Sequence, residues 1–217
     1  MFEFHILTIG QFSRNRFWGE LDTQSYRDAI CTSTLVKGKY NIIVDPSLPH
    51  EEMAKVLYNR SGLKPDKIDF VFLTHMHGDH YVGIELFEKA RWIMSGIDLE
   101  LMKRSDNWRV LELSQKLEPC KTGETEGCLI DGLEFVLFPG HTRGMTGMLF
   151  DSVDGRVCIC GDAVMTRDFF NSRLGYYNSM DFEASTASIN KMAGLADIVV
   201  PGHSNYFLNK AAEARRL

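Results

Sequence analysis

Apolar residues along this chain fall into short dense blocks and into wider helical spacing, and the two rhythms trade places from end to end. The blocks "FEFHILTIG" and "AICTSTLVKGKYNIIVDPS" gather β-branched and aromatic residues between Gly, Asn and Pro, which predicts strands. "PHEEMAKVLYNRSG" opens on Pro49 and two acids and closes on Gly62, the punctuation of a helix. A buried strand, "KIDFVFLTH", comes next, then a short helix over "GIELFEKA" with Leu86 and Phe87 on one face. Beyond "RWIMS" the pattern turns polar, and "LEPCKTGETEGCLIDGLEFVLFPGHT" reads as turns leading into another strand. "GMLFDS" and "GRVCICGDAV" predict a hairpin through Val153, Asp154 and Gly155. A helix near "DFEASTASINKMAGL", a strand "DIVVPGH" and a terminal helix complete the order. Strands and helices in this sequence, with several hairpins, predict a layered α/β (α+β) fold rather than a purely parallel doubly wound sheet.

Composition adds boundaries. The 217 residues fit one domain over 1–217, and 44% hydrophobic with 24% charged residues is ordinary globular usage. No run of about 18 apolar residues exists, which argues against a membrane partner, and the N-terminus lacks a secretory pattern, so the expectation is a cytoplasmic protein. A net charge of −5 without a long Lys/Arg cluster gives no footprint for nucleic acid, and the sequence permits a homo-oligomer without specifying one. Five cysteines with no C-x-x-C pair exclude a disulfide scaffold. Cys158 and Cys160, alternating along one strand, are expected as small buried hydrophobes.

The candidate chemistry sits just beyond the C-terminal ends of apolar strands. His75, His77, Asp79 and His80 follow "DFVFL"; His141 follows "LEFVLFPG"; Asp162 follows "VCICG"; His203 follows "DIVVPG". In layered α/β folds such loops converge along one sheet edge. His75 and His77, two positions apart in extended chain, would point the same way and grip one ion, while Asp79 and His80 would point apart from that pair toward a second. The glycines before His141, Asp162 and His203 would allow close backbone approach. Imidazole and carboxylate donors suit two divalent ions, zinc first, with iron or manganese also compatible. Seven donors make two incomplete shells, and open positions point to catalysis. His5 and His50 lack such company and read as ordinary hydrogen-bonding residues.

In this order "THMHGDH", "PGHT", "CGDAV" and "VPGH", preceded by "IIVDPS", resemble the motif series of the metallo-β-lactamase fold superfamily from about Ile42 to His203. The resemblance implies an αββα four-layer sandwich with a binuclear metal site at one edge. By matching position it implies His75, His77 and His141 on one metal, Asp79, His80 and His203 on the other, and Asp162 bridging them. Asp45 would support a ligand by hydrogen bonding, and Asp79 would pass a proton to the leaving group. The implied activity is hydrolysis of an ester, thioester or lactone of a small metabolite, with an iron-dependent persulfide dioxygenase as the alternative and a non-catalytic metal protein as a third reading. The dioxygenases' Gly-Cys-Gly-Arg run is absent from "GDAVMTRDFFNSRLG", and His77 stands where flavodiiron relatives carry glutamate. Lactonases of the family place a tyrosine a few residues after the bridging aspartate, where this chain has Met165 and Thr166; Tyr176 and Tyr177 come later. Phe12, Phe17 and Trp18 would form an apolar wall, with Arg14 or Arg16 meeting a substrate carboxylate, or that segment would simply pack on its own protein. No substrate-binding residue is identified from sequence.

Overall fold

The computed structural model describes residues 1–209, so the expected terminal helix lies outside the described residues. A six-stranded sheet runs in spatial order β1 (Glu3–Thr8), β2 (Ser33–Lys37), β3 (Asn41–Val44), β4 (Phe70–Phe72), β5 (Arg91–Ser95) and β6 (Leu117–Cys120). Its first three strands are antiparallel and its last four, β3 to β6, parallel. The second sheet contains β7 (Glu134–Leu137), β8 (Thr146–Ser152), β9 (Gly155–Gly161), β10 (Ile198–Pro201) and β11 (Phe207–Leu208), in the order β11-β10-β9-β8-β7.

Strand alternation decides which face each side chain covers. Val36, Ile42, Val44, Phe70, Phe72 and Ile93 of the first sheet interlock with Phe135, Met148, Phe150, Val157, Ile159 and Val200 of the second. The opposite face of the first sheet, with Leu35, Ile43, Val71 and Met94, is covered by α1 (His50–Ser61), α2 (Gly96–Met102) and α3 (Trp108–Lys116). The outer face of the second sheet, carrying Leu149, Cys158, Cys160 and Val199, packs against α4 (Arg167–Ser172) and α5 (Phe182–Ala193). The result is the expected four-layer αββα sandwich. Cys158 and Cys160 are fully buried on the helix-covered face.

Three local outcomes differ from the sequence pattern. "GIELFEKA" forms one 3₁₀ turn, Ile84–Phe87, because only three residues separate it from β5 and its bonds close over three residues, as in Leu86 N–H to Gly83 C=O. The polar stretch after "RWIMS" holds α2 and α3, two short helices capped by the side chains of Ser95 and Asn107. The hairpin turn is Val153–Asp154 alone, since Gly155 already pairs with Ser152. No helix among the described residues is long and apolar enough to cross a membrane.

Candidate metal centre

β3, β4, β9 and β10 all end at one edge of the sandwich, and β7 runs in the same sense as β9 because both are antiparallel to β8. Their following loops deliver Asp45, His75 to His80, Asp162, His203 and His141 respectively. All seven residues expected to bind metal come together there, and five of them, His75, His80, His141, Asp162 and His203, are buried.

Asp162 is the centre of the arrangement. Its Oδ2 faces His141 Nε2 at 3.2 Å and His75 Nε2 at 3.8 Å, while its Oδ1 faces His203 Nε2 at 3.2 Å and His80 Nε2 at 3.3 Å. His77 Nδ1 closes on His141 Nε2 at 2.9 Å, and Asp79 Oδ2 lies 3.6 Å from His203 Nε2. Two imidazoles thus face each carboxylate oxygen, with His77 against His141 on one side and Asp79 against His203 on the other. The expectation that His80 points away from the first pair needs correction. Its ring centroid is 4.1 Å from that of His75, because the chain turns through a tight 3₁₀ turn, Gly78–His80, instead of remaining extended. The two rings diverge only at their Nε2 atoms, over different oxygens of Asp162.

Hydrogen bonds behind the rings assign their tautomers. Asp45 Oδ1 accepts from the Thr74 amide at 2.9 Å, and its Oδ2 accepts from Thr74 Oγ1 at 2.7 Å and His80 Nδ1 at 2.9 Å. With its proton committed to Asp45, the Thr74 hydroxyl accepts from His75 Nδ1 at 3.1 Å. His203 Nδ1 donates to the carbonyls of Ile30 at 2.9 Å and Gln11 at 3.2 Å. In the neutral form of each of the three rings, the Nε2 lone pair is left facing Asp162. Asp45 itself adopts φ +50°, a left-handed conformation that aspartate tolerates better than most side chains.

Electrostatics favour the neutral ring at His75 and His141 and the charged form at His80 and His203. Burial and the neighbouring His80 push His75 well below the ordinary imidazole range, and burial lowers His141 to about 4, so both are neutral donors near pH 7. Burial alone would raise Asp162, but the His203, His80 and His141 rings outweigh it and keep the carboxylate ionised. His203 is held above its usual value, burial being overcome by Asp162. The donor set fits divalent metal on a second ground: His75 Nε2, His80 Nε2 and Asp162 Oδ1 are buried with no hydrogen-bond partner among the described residues. Buried nitrogen and oxygen donors without partners, converging on one point, are costly unless a cation satisfies them.

Glycine makes the convergence sterically feasible. A Cβ at Gly202 would lie 2.0 Å from Asp162 Oδ1, and Gly161 occupies φ +47° with Thr74 Oγ1 only 2.3 Å from the Cβ it lacks.

Two further residues outside the ligand motifs support the site. Asp98 of α2, fully buried, accepts from Thr142 Oγ1 at 2.6 Å and from the Gly144 amide at 2.7 Å. It also receives the backbone of Met76, so one carboxylate ties the loop carrying His141 to the loop carrying His75 and His77. Ser95-x-x-Asp98, in which the serine hydroxyl accepts from the Asp98 amide, is close to a capping box and was the available signal. Cys31 packs behind His80, where its Sγ donates to the Asp45 carbonyl, and burial raises its thiol to about 12.

The segment between β1 and β2 partly follows expectation. Phe12 leans on the His203 ring at 5.3 Å and on Tyr176 at 5.1 Å, while Phe17 packs on Phe169. Trp18 donates to Asp168. Arg14 donates to Tyr177 Oη and to the Asp22 carbonyl, and Arg16 pairs with Asp22 at 3.0 Å, so both guanidiniums are engaged within this layer. Met165 is buried against Phe12 and Tyr176, and the Tyr176 ring lies 6.2 Å from His141.

With the site described, comparison with known proteins decides the family. The family model of the metallo-beta-lactamase superfamily matches residues 26–203. The chain belongs to that superfamily. This metallo-beta-lactamase superfamily member is similar to an N-acyl homoserine lactonase from a Bacillus species, 23% identical over 166 residues, which are 76% of this chain and 64% of the relative. It therefore spans just under two thirds of that relative's length. Among solved structures it resembles a metallo-beta-lactamase-like protein from Thermotoga maritima with a TM-score of 0.71 at 23% identity, covering 95% of this chain and 99% of that one. It also resembles AidC, a dizinc quorum-quenching lactonase in complex with a hexanoyl-homoserine product, at TM-score 0.66 and 24% identity, covering 81% and 72%. A third likeness is a mutant of AiiA from Bacillus thuringiensis with N-decanoyl-L-homoserine bound at its active site, at TM-score 0.67 and 17% identity, covering 89% and 87%.

Proposed function

We propose that this protein is a binuclear metal-dependent hydrolase that opens a lactone, or cleaves an ester or thioester, of a small metabolite, with N-acyl homoserine lactones as the leading substrates. The observation that carries the reading is the Asp162 carboxylate with two imidazole Nε2 atoms at each oxygen and His77 and Asp79 beside them. His75, His77 and His141 would hold one cation, Asp79, His80 and His203 the other, and Asp162 both. Two such ions, zinc before iron or manganese, would lower the pKa of a shared water toward neutrality and polarise the scissile carbonyl.

The remaining tasks fall to the chain's own groups. Asp79 is the most exposed carboxylate of the set, its side chain 30% accessible, so it can reach the leaving oxygen and hand it a proton. Asp45 and Thr74 hold His75 and His80 in the tautomers that leave Nε2 free, the usual duty of residues behind a metal site. Tyr176 keeps its hydroxyl protonated, chiefly through burial, and closes the wall beside His141 where Met165 offers no polar group. The lactonase likenesses support this substrate class.

The test is hydrolysis of N-hexanoyl-L-homoserine lactone by zinc-loaded protein, followed as acid release at constant pH. Turnover that disappears in Asp162→Ala supports the reading. No hydrolysis of any lactone, ester or thioester, together with oxygen uptake on a persulfide by iron-loaded protein, would replace it with the dioxygenase alternative.

A further inference from the structure

The edge of the first sheet brings two of the five cysteines opposite each other. After β6 the chain turns through residues 121–127 and comes back beside the same strand. The Cys128 amide donates to the Pro119 carbonyl at 2.7 Å, and the Lys121 amide donates to the Cys128 carbonyl at 3.0 Å. Cys128 therefore pairs with Cys120 in a parallel bridge. Glycine permits the close return, since a Cβ at Gly127 would lie 2.6 Å from the Cys120 carbonyl carbon. Residues opposite one another in a sheet project to the same face, and neighbouring strands lie about 4.8 Å apart. That separation falls inside the span of about 4.4–6.8 Å between Cα atoms that a disulfide bridges. Both thiols are free, and both belong to the interior between the sheets, Cys120 within it and Cys128 packed against it.

The two thiols differ in access. Cys120, Cys31, Cys158 and Cys160 are buried, whereas Cys128 is half-buried and open to a small reagent. Burial raises the Cys128 thiol, but the Arg91 guanidinium beside it opposes the rise, and a neighbouring cation favours the reactive thiolate. Its Sγ makes a long contact of 3.9 Å with the Leu129 carbonyl, weak enough to release the thiol for rotation toward Cys120.

We propose that Cys120 and Cys128 form a reversible disulfide that staples this edge of the fold, Cys128 meeting a small-molecule disulfide and Cys120 resolving the adduct. With glutathione disulfide, the Cys128 thiolate attacks one sulfur, forms a mixed disulfide and releases one glutathione thiolate. Cys120 then loses its proton and attacks the Cys128 sulfur, which breaks the mixed disulfide and releases the second glutathione thiolate. Two protein thiols are oxidised, one glutathione disulfide is reduced, and the two protons end on the glutathione thiols. The product closes a loop of nine residues. Thr122, inside that loop, bridges to Phe135 of β7, so the cross-link lies where the two sheets meet. It uses none of the metal-binding residues and does not depend on the hydrolase reading.

The experiment exposes the full-length, zinc-loaded protein to glutathione disulfide, blocks the remaining thiols with iodoacetamide and follows intact mass and tryptic peptides. Trypsin cuts after Lys121, between the two cysteines, so the disulfide is read as a joined pair of peptides. The expected product carries that pair, reverts on reduction with dithiothreitol, and has an unfolding equilibrium constant lower by up to about 80-fold, the loop entropy of its closure. Cys128→Ser should give neither the joined pair nor a glutathione adduct on Cys120, and folded Cys120→Ser should stop at the adduct of Cys128. Absence of the joined pair in the wild type, or pairing through Cys31, Cys158 or Cys160 instead, would overturn the proposal. Glutathione addition to Cys120 in Cys128→Ser at the wild-type rate would overturn the assigned order, and a joined pair without any gain in stability would overturn the stapling role.

Discussion

Asp45 Oδ2 and His80 Nδ1 lie 2.9 Å apart in a position sealed from solvent, and the same carboxylate also holds the amide and hydroxyl of Thr74. Asp45→Ala leaves three buried donors without an acceptor and frees the His80 ring to turn. It should destabilise the metal-free protein by about 3 kcal/mol or more, read from urea midpoints, and lower the metal content of the loaded protein. Asp45→Asn should fall between wild type and the alanine variant, because its amide can still accept from Thr74.

Asp98 should matter to one half of the site more than the other. It braces the His141 loop against the His75–His77 loop, and its hydrogen bonds run to Thr142, Gly144 and Met76 rather than to the trio of Asp79, His80 and His203. Asp98→Ala is expected to weaken one of two zinc-binding events by about 10- to 100-fold in chelator competition, with the second event much less affected. Equal weakening of both would mean that Asp98 acts only through global stability.

Alkaline stability should depend on the buried Cys120 thiol. Burial raises Cys120 from 9.0 to about 12, so the unfolded chain loses this proton first as pH rises. Its contribution is therefore complete below pH 9 and is lost progressively from pH 9 toward 12, at up to about 1.4 kcal/mol per pH unit. Replacing it by alanine should make the decline in unfolding free energy between pH 9.5 and 11 shallower by about that slope. An unchanged slope would show that the thiol ionises in the fold as readily as in the unfolded chain.

Strand blocks and ligand motifs are legible in the sequence because both depend on local spacing. The apolar runs before His75, Asp162 and His203 become β4, β9 and β10, and the same-edge geometry follows from strand direction. What the pattern leaves out is carried by single residues acting over long separations. Asp98 meets Thr142 and Gly144 more than 40 positions away, and Cys31 meets Asp45 across a hairpin, so neither leaves a periodic trace. The helices α2 and α3 are hidden because short helices that bury only one narrow stripe, such as Leu99 and Met102, look polar in a window. The direction of His80 departs from expectation because extended-chain spacing does not hold for residues that fold into a 3₁₀ turn.

The central claim is that Asp162 stands between two metal ions, and crystals of zinc-loaded protein measured at the zinc absorption edge test it most directly. Two anomalous peaks are predicted, one on the side of His75, His77 and His141 and one on the side of Asp79, His80 and His203. A single peak, or peaks remote from Asp162, would contradict the binuclear account.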